Sequence, residues 1–193
     1  MDTERRGKLA DYLRGSLGPR ADSVLAALDA NPSAHLPYHG TPHILVVALA
    51  VLELAADEGL SPAQTLQTVL AAVFHDVDYA GDPDDSVNIE RAVAAAGECL
   101  GAFMDVEPVQ DLIRATCFPH RQAPRNTMEA VLRDADVAFS SLLVPDAQHF
   151  RTGLLTERGA PAGETDAIAF ILGHGVNTAS AARRINDFVA AIR

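Results

Sequence analysis

Residues 71–85 read AAVFHDVDYAGDPDD: an apolar, alanine-rich run that ends in His75-Asp76 and then turns acidic and rich in turn formers. Upstream, Ser61-Pro62-Ala63-Gln64 is a capping-box pattern with Pro at the first helical position. Together they predict a helix from about 62 to His75 and a loop through Pro83. Adjacent residues on a helix project about 100° apart, so an imidazole and a carboxylate side by side converge only where the helix unwinds. The Gly, Pro and Asp residues just downstream put His75 and Asp76 at such an end. A converging imidazole and carboxylate suit a divalent cation.

Working outward, the same helical grammar covers the chain. Two short amphipathic helices are expected over 3–15 and 21–30, with Gly18-Pro19 between them. The segment NPSAHLPYHGTP (31–42) reads as a loop. Thr41 is expected to cap an apolar helix, HILVVALAVLELAADEG, with Pro42 at its first position and a stop at Gly59. Asp84 or Asp85 caps a helix over roughly 86–101, another covers about 106–117, and FPHRQAPRN (118–126) is a basic loop. Asn126 or Thr127 caps one continuous helix, MEAVLRDADVAFSSLLV, and two or three more follow Pro145, the last being TASAARRINDFVAAI. No alternating strand pattern, internal repeat or low-complexity tract interrupts this reading. The fold class is all-α, a helical bundle in a single domain over 1–193, with helices 146–193 packing on the rest.

Bulk composition narrows the partners. In 193 residues, 48% are hydrophobic and 5% aromatic, a mix that suits a compact helical core. Lys and Arg number 15 against 26 Asp and Glu, a net charge of −11, and the basic residues form no long stripe. Such a surface repels nucleic-acid phosphates and anionic membranes, so neither is an expected partner. No segment reads as a membrane span or signal peptide, and Cys99 and Cys117 read as buried fillers in a reducing compartment, so a cytoplasmic location is expected. Exposed apolar helices are compatible with a homodimer, although no sequence pattern specifies one.

Two further places offer partners to His75 and Asp76. His43 opens the apolar helix after the Pro/Gly loop, at the entrance of a cleft. Asp134 and Asp136 are carboxylates inside an otherwise apolar run, which is costly unless they are paired, hydrogen-bonded or bound to a cation.

A His, a later His-Asp doublet and a still later Asp resemble the signature of the HD superfamily of metal-dependent phosphohydrolases. The blocks YHGTPHI (38–44), AAVFHDVDY (71–79), SVNIERA (86–92), LIRATCFPH (112–120) and LRDAD (132–136) look like those of one uncharacterised bacterial branch of it. The resemblance covers roughly residues 35–140 and leaves the last fifty without a motif. It implies an HD-type bundle with His43, His75, Asp76 and Asp136 as metal ligands, and Asp134 as the alternative to Asp136. Mixed nitrogen and oxygen ligation admits Mn, Fe, Co, Ni, Zn or Mg. One ion is expected. Asp76 could bridge to a second, for which His120 is the best extra ligand.

The expected activity is hydrolysis of a small phosphorylated metabolite or nucleotide by metal-activated water, with Asp76, Glu90 and His120 as catalytic candidates. Glu90 matches a Glu of that branch and reads equally as a surface ion pair. His39, Arg121 and Arg125 are candidates for binding the substrate, the arginines through bidentate contact with phosphate. His35, His149 and His174 read as ordinary. Two other readings stay open: a di-iron oxygenase of the same superfamily, and a non-catalytic module with a structural metal site.

Overall fold

The computed structural model describes residues 2–159 and 167–191, and every regular element among them is helical. Helices α1 (Asp2–Leu17) and α2 (Ala21–Asp29) lead into the loop before α3 (Thr41–Asp57). Then come α4 (Pro62–Phe74), α5 (Asp85–Leu100), α6 (Glu107–Ala115) and α7 (Thr127–Asp134). A π-helical segment, Ala135–Leu143, continues α7, and α8 (Ala147–Glu157), α9 (Ala167–His174) and α10 (Ala179–Ala191) follow. The fold is all-α and forms a single compact domain.

The apolar helix α3 lies at the centre. Residues His43 to Ala48 are six consecutive buried positions, so the helix is enclosed on every side by α1, α4, α7 and the π segment. Side chains of α3 and α4 dominate the core, among them Ile44, Leu45, Leu54, Leu70 and Phe74. Helices α8, α9 and α10 pack on the π segment, and α10 also touches α3.

Local chemistry explains most element ends. The Ser61 hydroxyl accepts from the Gln64 N–H and the Gln64 side chain from the Ser61 N–H, the capping box expected for α4. Asp84 caps α5 and Asn126 caps α7, deciding the two ambiguous N-termini.

Three expectations need correction. Gly40, not Thr41, is the N-cap of α3, with Thr41 already helical. A Cβ on Gly40 would stand 2.3 Å from the Leu36 carbonyl oxygen and 2.9 Å from that of Ala34, so only glycine fits at this boundary. The run from Met128 to Val144 is not one α-helix but changes to π winding at Ala135, which apolar periodicity does not register. The thiols of Cys99 and Cys117 are half-buried rather than sealed, and burial raises the pKa of both. No described helix is long and apolar enough to cross a membrane.

Candidate metal centre

At the end of α4 the His75 N–H still donates to the Ala71 carbonyl, and the chain then reverses at Asp78, whose φ is +62°. The loop before α3 holds this turn from outside. The Asn31 side-chain oxygen accepts from the Asp78 N–H at 3.0 Å, and the Ser33 hydroxyl bonds the Asp76 carbonyl at 3.1 Å. Both residues are buried. Their role was hidden in a stretch that reads as simple loop; the Asn-Pro-Ser sequence, apt to bond its own and neighbouring backbone, is the signal that could have found it.

Unwinding lets the adjacent side chains of residues 75 and 76 converge. His75 Nε2 stands 3.2 Å from Asp76 Oδ2 and 3.3 Å from His43 Nε2. His43 Nε2 is 3.3 Å from Asp76 Oδ2 and 3.1 Å from Asp136 Oδ1, and His75 Nε2 is 3.6 Å from the latter. Ligands about 2.1 Å from a shared ion, at tetrahedral to octahedral angles, stand about 3.0–3.4 Å apart. Four of the five separations match that spacing, and the fifth, His75 Nε2 to Asp136 Oδ1 at 3.6 Å, is slightly longer. His43, His75 and Asp136 form a buried group that could hold a metal ion, their ligating atoms all within 4.8 Å of one another.

The donor set fits a cation on electrostatic grounds too. His75 Nδ1 bonds the Ala72 carbonyl at 2.8 Å, which assigns its proton to that nitrogen and turns the Nε2 lone pair toward two carboxylates. A lone pair facing anions needs a positive charge between them. Asp76 Oδ2 is buried and has no hydrogen-bond partner, and the same holds for His43 Nδ1 and His120 Nε2. Without an ion, a proton must serve. Burial opposes the charged form of His75, but the charges of Asp76 and Asp136 beside it outweigh this and raise its pKa well above the ordinary value. Burial likewise pushes the Asp136 carboxyl up, yet bonds from His43 and His75 hold it far below the usual carboxylate range.

The two imidazoles are sealed, at 0% and 2% side-chain exposure, whereas Asp76 and Asp136 keep 10% and 16%. The cluster therefore opens to solvent on its carboxylate side. Tyr38 stacks on the His43 ring, centroids 4.4 Å apart, and Phe150 closes from the edge.

Asp134 and Asp136 diverge, as two residues on one helix must. The Asp134 carboxylate accepts from the backbone N–H of Asn177 and Thr178 and from both their side chains, capping the entry to α10. His39 lies beside the cluster, and its ring stacks on Tyr79 at 3.7 Å. The Glu157 carboxylate on α8 binds His39 Nδ1 and accepts the backbone N–H groups of Tyr38 and His39. Glu157 comes from the stretch in which no motif was read.

Other candidates lie apart from the four. Glu90 is exposed on α5 and pairs with Arg114 at 3.0 Å, the ion-pair reading of this residue. Arg125 is exposed and pairs with the buried Glu129 at 2.7 Å. Burial and the charge of Arg133 push the His120 pKa down to about 4, so its ring is neutral near pH 7. Compared with protein-family models, with curated proteins and with solved structures, the chain gives no match in any of the three.

Proposed function

We propose that the protein is a metal-dependent phosphohydrolase of small phosphorylated metabolites, with one divalent cation held by His43, His75, Asp76 and Asp136. The observation that carries the metal is the convergence of two imidazole nitrogens and two carboxylate oxygens from three separate stretches at ligand spacing. The reaction class comes from the likeness of the sequence blocks to the HD superfamily. When bound, such an ion lowers the pKa of a coordinated water and polarises a phosphoryl oxygen.

The chain's own residues do the rest. The Ala72 carbonyl fixes the His75 tautomer, so that Nε2 points inward as a donor of electrons. Tyr38 and Phe150 hold the His43 ring and keep solvent from that side. The part-exposed carboxylates leave an approach for water and substrate, which favours catalysis over a closed structural site. His39, clamped by Glu157 and Tyr79, is placed to meet a substrate at the mouth.

Elemental analysis of the purified chain, with phosphate release from a metabolite panel, tests this. The expected result is about one divalent ion per chain and release that disappears with the metal in His75→Ala and Asp76→Ala. A folded, metal-loaded protein that is silent on every compound defeats the hydrolase reading.

A further inference from the structure

One cation in this acidic protein is buried without a matching anion. Arg133, on α7, is 8% exposed and makes no ion pair among the described residues. Its Nε donates to the Ala115 carbonyl and its Nη1 to the Gln122 carbonyl, each at 2.7 Å. The Ala115 carbonyl lies at the C-terminus of α6, where a helix end carries only a partial negative charge. A guanidinium has five donors, and these two bonds leave others free. Burying a full positive charge against neutral carbonyls is costly unless an anion completes the site.

The surroundings supply a place for one. Arg133 lines an open concavity of about 300 Å³ together with Arg121, His120, His174 and Asn177. A second hollow, about 450 Å³, adjoins it and shares Arg121, Gln122 and Arg133. Arg121 is exposed and likewise makes no ion pair among the described residues. His120 Nε2 is buried without a partner, and His174, from α9, stands with its ring 5.5 Å from that of His120. Asn177 is turned to Asp134, so its amide N–H donors leave that carboxylate satisfied and not competing for Arg133. Asp136 lies three residues beyond Arg133, and its charge is felt at His120. Arg133 and Asp136 share one continuous helical run, while none of the four metal-centre residues lines either hollow.

We propose that Arg133, Arg121, His120 and His174 form an oxyanion subsite that receives a phosphoryl group of the substrate. As an anion site it stands on these four side chains alone; as a substrate subsite it rests on the hydrolase reading. A tetrahedral oxyanion can accept from a guanidinium edge at Arg133 and from the exposed Arg121 at the rim. His120 Nε2 either accepts from a phosphate hydroxyl or, with a proton taken up alongside the anion, donates to it.

Calorimetric titration of the full chain with inorganic phosphate, as purified and again after EDTA treatment, tests the subsite separately from the metal. The wild type should bind one phosphate in both states. Arg133→Met and Arg121→Gln should each weaken binding by roughly tenfold or more, and Lys8→Gln, a distant surface cation, should leave it unchanged. Arg121→Gln keeps the test decisive if Arg133→Met, which also loses two carbonyl bonds, does not fold. Phosphate binding that is absent, that vanishes with EDTA, or that is equal in wild type and Arg121→Gln overturns the subsite. Arginine-dependent binding without phosphate release from any metabolite keeps the anion site and removes the hydrolase.

Discussion

Two aspartates two positions apart have opposite fates. Asp136 faces His43 and His75, while Asp134 is turned to Asn177 and Thr178. Asp136→Asn should therefore abolish metal retention with little change in fold, read by elemental analysis and circular dichroism. Asp134→Asn should keep the metal and lower stability by about 1–3 kcal/mol, the range for a buried polar group that loses partners. Equal metal loss in both variants would contradict the assignment.

A second residue-scale prediction concerns the pair His39–Glu157. Burial raises the Glu157 carboxyl, but bonds from His39 and the Tyr38 N–H hold it below its ordinary value of 4.5. Burial lowers His39, but the charge of Asp76 and the bond to Glu157 raise it above 6.5. Glu157's contribution to stability is complete above 4.5 and is lost as pH falls through its depressed pKa. His39's is complete below 6.5 and is lost as pH rises through its raised pKa. Thermal melts of EDTA-treated wild type and Glu157→Gln should differ most between these bounds, with the gap closing on both sides. A gap independent of pH would show that the pair acts by packing alone.

At the scale of elements, the site depends on where helices begin and end. Gly40 lets α3 start directly under the carbonyls of Ala34 and Leu36. Gly40→Ala forces backbone apart and should cost about 1–3 kcal/mol, a loss visible in denaturant titration. Ser61 caps the far end of the helix that delivers His75 and Asp76. Ser61→Ala should cost about 0.5–2 kcal/mol yet leave metal content unchanged, because the lost bond is a full helix away from the cluster. The capping box and the end of α4 were legible because they are local chemistry. The π winding after Ala135 was not, since hydrophobic spacing cannot separate it from a continued α-helix.

At the scale of the molecule, the centre joins α3, the end of α4 and the π segment, so a cation there ties together pieces almost a hundred residues apart. Chelation should lower the melting temperature and re-addition of the ion restore it. The gap should be about 2.7 kcal/mol at an ion concentration a hundred times its dissociation constant. A melting temperature indifferent to EDTA in a protein shown to lose its ion would contradict this.

By itself the sequence determined the all-α class and most helix ends, because helix periodicity and caps are local properties, while the family resemblance pointed to His43, His75 and Asp76 with Asp136 or Asp134. Only the tertiary structure decided which aspartate turns inward, that Asn31 and Ser33 hold the His75-Asp76 turn, that Glu157 clamps His39, and that Arg133 is buried without an anion. Each of those depends on groups brought together from distant positions. Spacing along one chain carries no record of such meetings until the core closes.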